Sequence, residues 1–287
     1  MVLETMIYVT CTTRNRFWHS ALTALSIINS NCTDCFIEVI DDASSGKWSN
    51  AKHCMFLDLA ERGLVQSYTK FSQKLGFCRG REFLIQRFLS EDSFTHWFHL
   101  DDDILIGQGV IQQAVEDLEV PLAGQGLLHV YANPWCTYSP TVGPFATVTK
   151  IGGACFLVKK DLLVKLGQNP YTNQTNGEEA NARWWASLRR SGYSMFIRWT
   201  KPYQCQHTGN VDSTIFGYTP SWESLFAKDL RTGRIVDVKP FPLDRLRRAI
   251  KSRDLSAYVR SQNVICSQSL RLCTQETKTE HSIRSTG

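Results

Sequence analysis

Three consecutive aspartates, Asp101, Asp102 and Asp103, stand between the apolar residues Trp97-Phe98-His99-Leu100 and Ile104-Leu105-Ile106. An apolar run of this length reads as a short buried strand. Three carboxylates at its end repel one another and lose hydration unless something compensates. A hard divalent cation is the natural compensation, because carboxylate oxygens are its preferred ligands. A solvated acidic turn is the alternative, and the apolar flanks on both sides weigh against it.

Such a cluster needs a scaffold that holds it, and the flanking sequence supplies one. Met6-Ile7-Tyr8-Val9-Thr10-Cys11 reads as a first strand, ending in the polar turn Thr12-Thr13-Arg14-Asn15-Arg16. A helical pattern follows through Leu22, Leu25 and Ile28. Phe36-Ile37-Glu38-Val39-Ile40 is a second strand, closed by Asp41-Asp42-Ala43-Ser44-Ser45-Gly46. A helix over about 50–62, a short strand over 65–68 and a helix over 79–89 lead into the acidic strand. Strands alternating with helices imply a mostly parallel sheet covered on both faces. Ligands of such sheets bind beyond the carboxyl ends of the strands. Arg14, Asp41, Asp42 and Asp101–Asp103 all follow strands, so they are expected at one edge as one site.

The second half is less regular. A strand over 152–158 precedes a helix from Lys160 to a glycine stop at Gly167. Gly177-Glu178-Glu179 opens a further helix with Ala182, Trp184, Trp185 and Leu188 in its interior, ending at Ser191-Gly192. Ser194-Met195-Phe196-Ile197 reads as another strand.

With 287 residues, 43% of them hydrophobic and 21% charged, the chain suits one large α/β domain or a domain with an appendage. No stretch reaches the roughly 18 apolar residues of a membrane span. Met1–Thr10 carries Glu4 and no basic region, and does not resemble an export signal. Among ten cysteines only Cys32 and Cys35 are close, and no second CxxC or paired histidines suggest zinc. Several others sit in apolar runs as small hydrophobes, so a reducing, cytoplasmic setting is expected. The sequons at Asn31 and Asn173 carry no meaning without export. Residues 228–260 hold ten Lys/Arg against four Asp, an excess of six that is larger than the whole chain's +5. Such a segment either contacts an anionic partner or forms a solvated helix face.

Taken in order, the motifs resemble the GT-A nucleotide-sugar glycosyltransferases, particularly the inverting, DxD-containing family-2-like enzymes. The matching residues are Val9 to Arg16, Ile37 to Ser45, Leu75-Gly76 with Arg81, Leu100 to Asp103, Gly152-Gly153-Ala154, Gly177-Glu178-Glu179 and a late His207. Each motif alone is weak; their shared order over Met6 to His207 is much more specific. The resemblance implies a Rossmann-like, mostly parallel α/β sheet flanked by helices over 1–225, with a nucleotide half at about 1–105 and an acceptor half at about 106–225. A basic helical appendage (226–274), able to touch a membrane surface or another anion, and a disordered tail (275–287) complete the expected organisation.

Roles carried over by the resemblance are as follows. Thr12 and Arg14 contact the nucleotide, and Asp42 or Asp41 accepts a hydrogen bond from a uracil-type N–H. Arg81 approaches the diphosphate or the acidic motif. Asp101 holds the ribose or a metal-bound water, Asp103 binds Mn²⁺ or Mg²⁺, and His207 adds a ligand. Asp102 lies within the nucleotide-sugar motif, with support of the turn as its expected part. Glu179 is the candidate base for inverting transfer to an acceptor hydroxyl, with Glu178 second. The pair departs from the family's Glu-Asp, and acids at a helix start also simply favour the helix dipole. At most one of Trp184 and Trp185 should line the acceptor site, since neighbouring helical residues face different ways. The implied activity is metal-dependent transfer of a hexose from a UDP-type sugar to a glycan or glycoconjugate. Alternatives are a glycosyltransferase acting on hydroxymethylated DNA bases, a metal-dependent nucleotidyltransferase or phosphohydrolase, and a noncatalytic nucleotide-sugar binder.

Overall fold

The computed structural model describes residues 6–46, 49–130, 138–148, 153–167, 169–174, 176–198, 203, 205–207, 226–228 and 235–237. In chain order the elements are β1 (Met6–Thr13), α1 (Phe17–Ile28), β2 (Cys35–Asp41), α2 (Ser49–Glu61), β3 (Ser67–Lys70), α3 (Phe77–Ser90) and β4 (Phe94–Asp101). Next come β5 (Ile104–Ile106), α4 (Val110–Glu119), β6 (Gln125–His129), β7 (Tyr138–Val142), β8 (Phe145–Val148), β9 (Cys155–Lys159) and α5 (Lys160–Leu166). The last are α6 (Gly177–Arg190), β10 (Ser194–Arg198), β11 (Cys205–His207), β12 (Phe226–Lys228) and β13 (Ile235–Asp237).

Nine strands form one sheet in the order β3-β2-β1-β4-β9-β6-β10-β8-β7. β3, β2, β1 and β4 pair in parallel, as do β6 and β10. β9 runs against β4 and β6, and β8 runs against β10 and β7. Seven of the nine strands therefore share one direction, giving the expected mostly parallel sheet. The chain steps outward from β1 to β2 and β3, then returns to lay β4 on the other side of β1. That reversal is a topological switch point, where the loops at the carboxyl ends diverge and leave a crevice.

Helices on both faces explain why the central strands are apolar throughout rather than alternating. Side chains of β1 divide by their period of two. Val9 and Cys11 join the core formed with Leu22 and Leu25 of α1, Phe56 of α2 and Ile111 of α4. Tyr8 joins the opposite core, with Leu84 and Phe88 of α3, Leu162 of α5 and Trp184 of α6.

Several expectations are corrected. The acidic run is two strands rather than one: β4 ends at Asp101, β5 starts at Ile104, and β5 pairs with β11 outside the main sheet. Both Trp184 and Trp185 are buried, stacked on each other and edge-on to Phe156, so neither offers an open ring face to an acceptor, within the expectation that at most one would. Cys32 and Cys35 form a disulfide, their Cα atoms 5.8 Å apart and within bridging range; a wholly reduced set of cysteines does not hold. Within the expected basic appendage, the described residues are an antiparallel pair of short strands, β12 with β13, not a helix. The rest of 226–274 and the tail 275–287 lie outside the described residues.

Candidate functional site

Strand register assembles the site. Thr13 lies opposite Asp41 on β2, and Thr12 lies opposite Asp101 on β4, so three adjacent parallel strands end in one polar row. The sequence places hydroxyls and carboxylates at the last position of each strand, where the apolar pattern stops. The expected gathering of the β1 turn, Asp41/Asp42 and Asp101–Asp103 is what the fold shows.

Asp101 is held from inside the protein. Its Oδ1 accepts from Arg81 Nη2 at 2.9 Å and from His99 Nε2 at 3.4 Å. Arg81, on α3, is fully buried, and its other donors reach the Gly153 carbonyl at 2.6 Å, Tyr171 Oη at 3.0 Å and Asn181 Oδ1 at 3.4 Å. Its guanidinium also lies 4.0 Å over the Phe77 ring, a cation–π arrangement. Gly153 is glycine because a Cβ there would strike Arg81 Nη1 and come within 2.8 Å of Asn181 Nδ2. Asn181 brings the first turns of α6 into the network. Arg81 is thus a holder of Asp101 rather than a free cation for the diphosphate. Burial and the nearby Arg81 charge lower the His99 pKa to about 4, so its ring is neutral at ordinary pH.

The other two acids face a different cation. Arg16 donates to Asp103 Oδ2 at 2.6 Å and reaches Asp102 Oδ1 at 3.1 Å. Asp102 also accepts from Thr13 Oγ1 at 2.8 Å, and its carbonyl accepts from Thr23 Oγ1 on α1. Burial, with a contribution from Asp103 and against the pull of Arg16, raises the Asp102 carboxyl to about 6. Asp102 is therefore enclosed between β1 and α1, with Thr13 and Arg16 as its partners.

Asp41 and Asp42 divide their work likewise. Asp41 is fully buried, accepting from the Ser44 amide at 2.9 Å and Tyr68 Oη at 3.4 Å and paired with Lys52 Nζ at 3.3 Å. Lys52 also donates to Thr13 Oγ1 at 3.3 Å and to Ser44 Oγ, so one ammonium ties β1, β2 and the following loop together. Burial pushes its pKa down against the pull of Asp41 and Asp102. Asp42 is half-buried and accepts from the Leu75 and Gly76 amides at 2.5 and 3.0 Å, satisfying backbone donors just ahead of α3. Gly76 has φ +81°, a conformation that glycine adopts without strain. Arg14 Nε is buried without a hydrogen-bond partner among the described residues.

Among the described residues no three His, Cys, Asp or Glu side chains gather as a metal cluster. The donor set nevertheless suits a hard cation: Asp101 is 30% exposed, and its Oδ2 takes no hydrogen bond among the described residues. β11 pairs with β5 so that His207 lies opposite Ile104, beside Asp103 in the register. Glu179 sits on an exposed face of α6, paired with Arg183 one turn on. That surface pair is worth only about 0.3–0.5 kcal/mol and leaves its carboxylate available.

Lys52, Arg16, His99, Tyr171 and Asn181 were not singled out in the sequence. The one available signal was Arg16, which ends the same turn as Arg14. We expect Lys52→Met to melt about 6–15 °C below wild type, because stranding the buried Asp41 charge costs roughly 3–5 kcal/mol. Adding Asp41→Asn should recover part of the loss by removing the stranded charge. A thermal melt of the three proteins checks both, and a single-variant shift under about 2 °C would contradict the assignment of a buried pair.

No family model matches the chain, and no curated protein matches it. Solved structures do. The chain is similar to the mannosyltransferase PcManGT from Pyrobaculum calidifontis in complex with GDP-Man and Mn2+, at a TM-score of 0.50 and 15% identity, covering 68% of this chain and 54% of that one. It is similar to GalNAc-T7 with UDP, GalNAc and Mn2+, at a TM-score of 0.53 and 14% identity, covering 68% and 42%. It is also similar to S. aureus TarS, at a TM-score of 0.51 and 11% identity, covering 88% and 44%. The likeness shows the fold, the GT-A arrangement. The chain spans between 42% and 54% of these proteins' lengths. Among the described residues no helix is long and apolar enough to cross a membrane.

Proposed function

We propose that this chain is a metal-dependent glycosyltransferase that moves a hexose from a UDP-type nucleotide sugar to an acceptor hydroxyl with inversion. The observation that carries the proposal is the polar row at the β1–β4 switch point, where Asp101 and Asp103 are each gripped by an arginine. Structures of like fold that hold nucleotide or nucleotide sugar with Mn2+ support it.

In this reading Thr12 and Arg14 contact the nucleotide, the buried unpartnered Nε of Arg14 being a ready donor. Asp42, the more accessible acid of its pair, accepts from the base, while Asp41 positions the loop. Asp101 and Asp103, with His207, would hold Mn²⁺ or Mg²⁺. The ion would supply positive charge to the departing diphosphate as a Lewis acid. Arg81 keeps Asp101 in place, and Asp102 keeps the turn. Glu179 removes the acceptor proton on the face of the sugar opposite the leaving group. The basic stretch 228–260 favours an anionic acceptor or surface, DNA with hydroxymethylated bases among them. A cytoplasmic setting belongs to the same proposal, and the Cys32–Cys35 disulfide is the observation that counts against it.

Incubation with intact UDP-sugars and Mn²⁺ tests the reaction. Release of UDP with sugar transferred or hydrolysed supports it. Release of UMP, or transfer of the nucleotide, would identify a nucleotidyltransferase or phosphohydrolase, and binding without turnover would identify a binder. We expect Glu179→Gln to lower turnover by about 10²–10⁴-fold while UDP still binds. If Glu178→Gln takes the larger loss, the two roles are exchanged. Acceptor binding that falls steeply with salt would point to nucleic acid.

A further inference from the structure

His99 is fully buried in the row below the site, yet it is polar on both ring nitrogens. Its Nδ1 lies 2.9 Å from Thr10 Oγ1, and its Nε2 lies 3.4 Å from Asp101 Oδ1. Trp97 Nε1, which can only donate, gives its hydrogen to the same Thr10 oxygen at 2.8 Å. A bare Nε2 would set a lone pair against a carboxylate, so Nε2 carries a proton. A proton on Nδ1 as well would bury a cation and leave the Thr10 hydroxyl hydrogen with no acceptor among the described residues. One arrangement satisfies every donor: Trp97 Nε1–H to Thr10, Thr10 O–H to His99 Nδ1, and His99 Nε2–H to Asp101. The rings of Trp97 and Phe156, at 5.5 and 5.4 Å, hold the imidazole in this orientation.

We propose that His99 is a positioning residue whose neutral Nε2–H tautomer, set by Thr10 and Trp97, fixes Oδ1 of Asp101 and leaves Oδ2 to face the ligand. Arg81 reaches the same Oδ1, so two buried donors define the carboxylate plane where one would leave it free to rotate. The consequence for binding rests on the proposed nucleotide-sugar site; the tautomer does not.

Two arms test it on the full chain. In the first, ¹⁵N NMR of the histidine ring should show wild-type His99 with its proton on Nε2 and Nδ1 bare. Thr10→Val, which removes the donor to Nδ1, should leave the proton on Nε2 against Asp101 and shift the Nδ1 resonance that has lost its donor. A wild-type ring protonated at Nδ1 would overturn the inference. In the second, UDP is titrated with Mn²⁺ into two variants. His99→Met fills the space without a donor and should bind about tenfold more weakly than wild type. His99→Gln places an amide N–H near the Nε2 position and should stay within about threefold. Equal loss in both variants, or none in His99→Met, would show that His99 only fills space. If wild type binds no UDP, the proposed function falls, and the NMR arm still decides the inference. Should His99→Met fail to fold, Thr10→Val carries the binding comparison, with a loss expected and unchanged binding overturning it.

Discussion

Arg81→Met is expected to melt about 6–15 °C below wild type and to lose UDP binding, from roughly 3–5 kcal/mol for removing one member of a buried pair. Asp101 is 30% exposed, so water recovers part of the loss and the lower end applies to that bond. The remainder comes from Tyr171, Asn181 and the Gly153 carbonyl, which lose a donor in the interior. Arg81→Lys should not restore binding, because a single ammonium cannot occupy the same fork of positions. Gly153→Ala offers an independent route to the same outcome, since its methyl group would push Arg81 and Asn181 apart. Thermal melts with UDP titrations check all three. Wild-type stability in Arg81→Met would show that the network is not what holds this edge.

Asp103→Ala should behave in the opposite way, folding normally while losing the metal. Its removal relieves repulsion on the buried Asp102, which keeps Arg16 and Thr13 as partners. Mn²⁺ affinity, read by electron paramagnetic resonance, should fall at least about a hundredfold, since even outer-shell losses cost roughly 10–100-fold. Asp102→Ala should instead lower the melting temperature, because Thr13 and Arg16 lose a shared acceptor inside the fold. Unchanged Mn²⁺ binding in Asp103→Ala would remove this carboxylate from the metal site.

The part of the sheet from β1 to β4 was legible because its signals are local. Strands such as Met6–Thr13 are apolar on both faces, and polar residues take over where each strand ends. That boundary alone brings Thr12, Asp41 and Asp101 to one edge. The strands β6 to β8 and the β5–β11 pair were not read, because short antiparallel segments depend on long-range partners that leave little local pattern. Trp184 and Trp185 were read as interior residues of α6, at most one of them free to line an acceptor site, and both are buried.

Within the site, the acids and Arg81 were found, and the other partners were not. Within the triplet Arg81 takes Asp101 and Arg16 takes Asp102 and Asp103, a division of cations that the spacing alone does not give. The partners come from distant places in the chain, Lys52 from the first turn of α2 and Asn181 from α6, where a lone polar residue reads as surface. Only the fold reveals that these side chains are buried and that the carboxylates are aimed by them. His99 is the clearest case, an apparent filler in an apolar strand that orients the acid two residues on.

The β1–β4 switch point is proposed to bind a nucleoside diphosphate through a divalent cation. Calorimetric titration of UDP into the full chain, with Mn²⁺ and again with excess EDTA, tests it most directly. One saturable site with Mn²⁺ that disappears with EDTA and in Asp103→Ala is the predicted result. UDP binding that is indifferent to both, or absent with Mn²⁺ present, would contradict it.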